Sequence, residues 1–309
     1  MENTNQNNPL LCDFETGICE MPFPTGKDIS QIVAKENKPI KVIYYTDPIC
    51  SSCWGIEPQL RKLKLEYGDT IDVEYRMGGL LPDWSYNSGG ISNPSDVAHH
   101  WDEASAWYDM PIDGDVWLED PLSSSYPPSI AFKAAQMQNK EKAVEFLREL
   151  RELLFLQKKN IAKWEYISLA AQKAGLDTVQ LKNDYEGEAK ELFIEDLELA
   201  QKLGVRGFPT MFFADSLGKQ EKVYGSKPYS VYEHAISKLQ PSVTRYRYER
   251  DWKTLFSKYP TLTSREFAEL SEIPRHEADA FLQKLHEAGE LNKAETKNGV
   301  LWRSKEAVR

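Results

Sequence analysis

Cysteine and histidine are scarce in this chain, four and five among 309 residues. No apolar run reaches the roughly 18 residues needed to cross a bilayer. The opening residues, MENTNQNNPLL, lack the basic and apolar regions of a secretory leader. A basic excess is missing too: the formal net charge is −10 and the pI is near 5.2. Nucleic acid and anionic membranes both attract basic surfaces, so neither is an expected partner. These absences together predict a cytoplasmic protein. In that compartment four cysteines are expected to be free, metal-bound or catalytic rather than joined in structural disulfides. Strand signals are also absent from about residue 80 to 203, and no internal repeat is visible.

What is present is organised around residues 44–60, YYTDPICSSCWGIEPQL. A β-rich run from Ile40 ends in Thr46-Asp47-Pro48. Cys50 and Cys53 follow at C-x-x-C spacing, and a helical pattern starts there with Pro58 inside it. That geometry places a thiol at a helix N-terminus, where the macrodipole and free N–H groups favour a thiolate. Ile56, Leu60, Leu63 and Tyr67 continue the helix, and residues 72–77 read as the next strand. The unit is β-α-β, which implies parallel pairing with a right-handed crossover.

The strand-free stretch reads as helices near 94–109, 128–138, 143–159, 162–174 and 178–203, with Gly187 as a bend in the last. The third has Val144, Leu147, Leu150, Leu154 and Phe155 as its apolar stripe. Strand signals return at Gly204-Val205-Arg206-Gly207-Phe208-Pro209-Thr210, followed by a hairpin at Gly218-Lys219 and a closing helix over 230–239. The order β-α-β, helical insertion, β-β-α predicts an α/β fold with a mixed sheet. Before it, residues 1–37 form an extension with Cys12 and Cys19 on either side of a Gly turn; Met1–Asn8 is expected to be unstructured and Asp28–Lys35 helical. After Gln240-Pro241-Ser242, residues 241–309 read as a small module. Thr263 and Glu266 fit a capping box, a helix follows over 275–289, and a hairpin turns at Asn298-Gly299. That order is winged-helix-like. Yet residues 249–309 hold eleven Lys/Arg and eleven Asp/Glu, and the would-be recognition helix carries Glu277, Asp279 and Glu287. Carboxylates would face phosphates there, so a protein contact or a structural role is expected.

Two motifs carry a resemblance. A proline five residues after the second cysteine looks like the kinked active-site helix of thioredoxin. The Gly-Val-Arg-Gly-Phe-Pro-Thr run, about 150 residues later, resembles the thioredoxin-fold loop whose proline is cis and lies against the cysteines. The helical insertion between them is similar to the DsbA-like branch, which covers residues 38–240. The motifs Asp47-Pro48-Ile49-Cys50-Ser51-Ser52-Cys53-Trp54-Gly55 and Ser125-Tyr126-Pro127-Pro128-Ser129-Ile130-Ala131, with the cysteine-bearing extension and the C-terminal module, narrow this to one family. The chain resembles the SpxH (YjbH) adaptors of Gram-positive bacteria. The resemblance implies binding of the transcription regulator Spx and its degradation by the protease ClpXP, as part of a stress response. It departs from the family in its first 37 residues, which contain no His.

Two readings of the cysteine pair follow. In one, Cys50 and Cys53 are non-catalytic or redox-sensing within an adaptor. In the other the protein is a cytosolic thiol–disulfide oxidoreductase, with Cys50 as nucleophile, Cys53 as resolving thiol and Pro209 beside them. Ser51-Ser52 supplies neither His nor Pro between the thiols, which favours the first. Cys12 and Cys19 are expected as an exposed thiol pair; with Cys50 and Cys53 they could instead make a four-cysteine zinc site, and no other cofactor is expected. Trp54, Trp84, Trp107, Arg206 and Phe208 are the candidate partner contacts, because aromatics and arginine dominate protein interfaces.

Overall fold

In the computed structural model, residues 12–13, 16–20, 38–85 and 93–305 are described. The expectations for Met1–Asn8 and Asp28–Lys35 fall outside them. Two short strands, β1 (Cys12–Asp13) and β2 (Ile18–Glu20), precede the central strand β3 (Ile40–Thr46). The Cys-x-x-Cys segment forms α1 (Ser51–Gly55), and α2 (Glu57–Tyr67) follows after a break at Ile56. Pro58 explains the break: it has no N–H to donate, and it is tolerated because it lies in the first turn of α2. Strand β4 (Ile71–Met77) then pairs parallel to β3, with Ile40 opposite Ile71 and Thr46 opposite Met77.

The insertion holds α3 (Pro94–Tyr108), α4 (Val116–Glu119), α5 (Tyr126–Gln138), α6 (Lys140–Gln157), α7 (Trp164–Lys173), α8 (Thr178–Glu186) and α9 (Ala189–Lys202). The bend expected at Gly187 is a full break between α8 and α9. The short strand β5 (Gly207–Phe208) is followed by β6 (Thr210–Asp215), β7 (Gln220–Tyr224) and α10 (Tyr229–Leu239). The main sheet has the order β4-β3-β6-β7, with β6 antiparallel to both neighbours. It is therefore mixed, and the fold is thioredoxin-like with a large helical insertion. Strand β3 reads as a continuous apolar run because both its faces are covered.

The last residues form α11 (Trp252–Lys258), β8 (Thr261–Thr263), α12 (Ser264–Ser271), α13 (Arg275–Glu287), β9 (Leu291–Thr296) and β10 (Gly299–Ser304). Their sheet is antiparallel, order β8-β10-β9. Leu255, Phe256, Leu262, Phe267, Leu270, Leu282 and Trp302 make a separate small core. The capping box forms as its spacing predicts: Glu266 N–H donates to Thr263 Oγ1 (3.2 Å) and Thr263 N–H donates to Glu266 Oε2 (2.7 Å).

That same Glu266 side chain ties the small core to the large one. It accepts two hydrogen bonds from Arg148 of α6 (2.8 and 3.0 Å) and lies 3.2 Å from Arg61 of α2. Arg61 also donates to the Thr261 carbonyl (2.8 Å), and Thr261 bonds Glu152 of α6. Glu266, Arg61, Thr261 and Glu152 are buried, and Arg148 is half-buried. At the other end of the module, Lys297 pairs with Asp102 and Asp115 (2.6 and 2.7 Å), and Gly299 lies against Pro111. A Cβ at Gly299 would lie 3.0 Å from the Pro111 ring.

Candidate functional site

Asp47 shapes the turn that delivers the cysteines. Its carboxylate accepts from the N–H groups of Ile49 (3.0 Å) and Leu80 (2.8 Å) and from the Ser125 hydroxyl (3.0 Å). The turn, the end of β4 and the start of α5 are thereby held at one point. Full burial raises the Asp47 carboxyl to about 6; the three donors and Arg151 oppose that rise and do not cancel it. Cys50 is the N-cap of α1, and its sulfur accepts from the Cys53 N–H (3.1 Å).

Beneath the pair lies Arg151, fully buried on α6. It donates to Glu57 (2.6 Å), to the Thr46 hydroxyl (2.6 Å) and to the Asp47 carbonyl (3.2 Å). Burial pushes the Cys50 thiol well up, reinforced by its hydrogen bond to Cys53. Burial also opposes ionisation of Cys53, but the bond from Cys50, the Arg151 charge and the Thr46 hydroxyl outweigh it, so Cys53 lies below its ordinary value. One negative charge is thus favoured on the pair, with its proton held by Cys50. The sequence reading names Cys50, nearer the helix start, as the attacking thiol. Arg151 was missed there because a charged residue within an apolar helical stripe is expected to face water.

The Phe208–Pro209 bond is cis, and Pro209 is buried next to the main sheet. Strand β5, just before it, does not face solvent. Strand β2 pairs with it antiparallel, Cys19 opposite Phe208 and Glu20 opposite Gly207. The extension therefore lies along the loop that the resemblance assigns to a bound substrate strand. Cys19 is completely buried and held in a disulfide, and Cys12 lies opposite it in the β1–β2 ladder. This corrects the expectation of an exposed thiol pair. It also removes a donor from the four-cysteine zinc site, since a disulfide sulfur has no thiolate to give. Among the described residues no group of three or more His, Cys, Asp or Glu is placed to hold a metal.

The partner candidates divide by burial. Trp54 is fully enclosed: its N–H donates to the Pro111 carbonyl (3.0 Å), Phe155 stacks on it at 5.5 Å, and Arg148 covers the ring at 4.4 Å. Phe208 is fully enclosed against Gly78, where a Cβ would lie 1.7 Å from its ring. Neither can touch a partner in this state, and their expected role gives way to a packing one. Trp84 is half-buried, with its N–H bound to the Leu122 carbonyl (2.7 Å) and its ring edge-on to Trp117. Trp107, 60% exposed, and Arg206 remain at the surface.

A family model described as thioredoxin matches residues 44–234. Among solved structures, a cytosolic disulfide reductase, DsbM from Pseudomonas aeruginosa, superposes with a TM-score of 0.53 at 20% identity, over 64% of this chain and 99% of its own. That likeness concerns the fold. Among curated relatives, the ClpXP adapter protein SpxH of Halalkalibacterium halodurans is 35% identical over 97% of this chain and 98% of its own length. The Bacillus subtilis protein of the same name is 29% identical over 86% and 90%. On a DsbA-like thioredoxin scaffold, with matches along almost the whole length, the chain belongs to the SpxH family of ClpXP adapter proteins.

Proposed function

We propose that this protein is a non-enzymatic cytoplasmic adapter that binds the transcription regulator Spx and promotes its degradation by ClpXP. The observation that carries the reading is the 35% identity along 97% of the chain to a protein named for that role. Binding would stabilise the regulator in a conformation whose degradation signal is accessible, so the adapter acts by linkage and forms no bond. The exposed Trp107 and Arg206, with the half-buried Trp84, are the candidate contacts. Reconstituted degradation of Spx by ClpXP tests the reading. The wild-type chain and a Cys50→Ala/Cys53→Ala variant should both accelerate it. Failure of the wild type, or complete loss in a folded double variant, overturns it.

A second reading, thiol–disulfide oxidoreductase, is favoured by the arginine that stabilises charge on the cysteine pair. It requires a disulfide substrate to reach sulfurs that have no exposed surface. Turnover of a disulfide-bonded peptide that disappears in Cys50→Ala would establish it.

A further inference from the structure

Three sulfurs lie in a row inside this molecule. Cys19 Sγ is 3.4 Å from Cys50 Sγ and 3.3 Å from the Ser52 hydroxyl, which in turn is 2.8 Å from the Tyr108 hydroxyl. Cys53 follows one helical turn after Cys50. Cys19 is in a disulfide, while Cys50 and Cys53 are free, and all three are completely buried. An oxidised sulfur and a dithiol are thus sealed together where external thiols do not reach them.

The placement is built by the chain. Strand β2 is hydrogen-bonded to β5 immediately before the cis proline, so Cys19 is delivered to Cys50 by the pairing register itself. The hairpin turn is seated separately: Ser226 N–H donates to the Gly17 carbonyl (2.7 Å) and Lys227 donates to the Thr16 carbonyl (3.3 Å). Gly17 has φ of +68°, and a Cβ there would lie 2.6 Å from Ser226 Cβ. Gly225, at φ +81°, is equally close-packed, 2.3 Å from the Thr16 carbonyl for an added Cβ. Only glycine suits both positions.

We propose that the protein carries out an intramolecular thiol–disulfide exchange in which its own N-terminal strand is the substrate of the Cys50–Cys53 pair. Cys50 transfers its proton to Cys53 and attacks Cys19 Sγ. The bond between Cys19 and its present disulfide partner breaks, and that partner leaves as a thiolate, which takes up a proton. A Cys50–Cys19 mixed disulfide is formed. Cys53 then attacks Cys50 Sγ, breaking the mixed disulfide and releasing Cys19 as a thiolate. Two electrons have passed from the dithiol to the N-terminal disulfide, together with the pair's one proton and one negative charge: the proton that Cys53 gives up as it attacks ends on the former partner, and Cys19 is left as the thiolate. No external oxidant or reductant is consumed, because the singly oxidised chain isomerises. The neighbours converge within van der Waals reach, so the step is unimolecular and needs no diffusional encounter. The proposal is independent of adapter function; it concerns how the redox state of the extension is coupled to the buried pair.

Peptide mapping of the full chain tests it. Cleavage with trypsin and a Glu-specific protease puts Cys12 in residues 3–15 and Cys19 in residues 16–20, so the two are read separately. A Cys53→Ala chain lacks the resolving thiol and should accumulate a Cys50–Cys19 linked peptide after incubation without air at mildly alkaline pH. Gly17→Val unseats the hairpin away from the sulfurs, and in the Cys53→Ala background it should slow the linkage by about tenfold or more. A linked peptide no more abundant than in urea-unfolded chain overturns the proposal. A second measurement uses the wild type alone. Singly oxidised chain prepared with the disulfide at Cys19, or prepared with it at Cys50–Cys53, should relax to the same mixture of the two forms. Two preparations that keep their starting disulfides also overturn it.

Discussion

Glu266→Gln is the most informative single perturbation of this fold. The Glu266 carboxylate is completely buried, receives Arg148 through two bonds, lies 3.2 Å from Arg61 and closes the capping box of α12. Glutamine keeps the shape and an oxygen for the Thr263 N–H, so the cap, worth about 1 kcal/mol, largely survives. What goes is the charge. Removing one partner of a buried ion pair costs about 3–5 kcal/mol, because the other is left uncompensated. Arg148 keeps Glu152 at 2.7 Å and Arg61 keeps Glu57 at 3.6 Å, which places the loss at the lower end, about 3 kcal/mol. Urea unfolding followed by tryptophan fluorescence reads it; with an m value of about 3 kcal/mol/M the midpoint falls by about 1 M. The pH dependence gives an independent check. Burial opposes ionisation of Glu266, but Arg148 and Arg61 hold its pKa below the ordinary 4.5. Its stabilisation is therefore fully present above that value and is lost as pH falls through the folded pKa. The variant should lack this part of the acid limb. A loss under about 0.5 kcal/mol at neutral pH, the ordinary range of surface substitutions, would refute the reasoning; so would an unchanged acid limb.

Asp47 behaves in the opposite sense. Its folded value of about 6 exceeds the ordinary 3.8, so its contribution is most favourable at low pH and declines as pH rises between them, by roughly 3 kcal/mol in all. The stability difference between wild type and Asp47→Asn should change by most of that amount, about 2 kcal/mol, between pH 4 and 7; a flat difference contradicts the burial argument. Arg151→Met removes the cation that favours charge on the cysteine pair, and thiolate ultraviolet absorbance should then develop about one pH unit higher or more; an unshifted titration assigns the charge elsewhere. Gly78→Ala drives a methyl into the enclosed Phe208 ring and should cost about 3 kcal/mol, a fall in Tm of roughly 6–12 °C. A melting temperature within 2 °C or so of wild type would mean that the ring has room to move.

The parts of this fold that were legible in the sequence are those written locally. Cys50 and Cys53 at their spacing, Pro58 in the first turn of α2 and Pro209 after Phe208 each constrain a few consecutive residues, and each stands where the pattern put it. The capping box at Thr263 and Glu266 is of the same kind. Burial was not legible in that way. Trp54 and Phe208 have the chemistry of interface residues, and only the packing of α3, α6 and the Gly78 turn shows that they are enclosed. Arg151 and Glu152 sit in an amphipathic helix whose charged residues read as its wet face, because their partners come from Glu57 and Thr261, far along the chain. The N-terminal hairpin was the least legible element. Its strands are two and three residues long, and their position is set by pairing with β5, almost 190 residues away. A solvent-exposed thiol pair was the reasonable expectation from composition, and a long-range strand pairing reversed it.

The ion pairs between Arg148 and Glu266 have a consequence for how the chain is made. The two residues are 118 positions apart. At a synthesis rate of about 5–20 residues per second, roughly 6–24 s pass between the appearance of the guanidinium and that of its carboxylate. Strands β5, β6 and β7 are made within that interval, and through all of it Arg61 and Arg148 are without their Glu266 counter-charge. Docking of the module that carries Glu266 is thus the event that completes the neutralisation of Arg61 and Arg148.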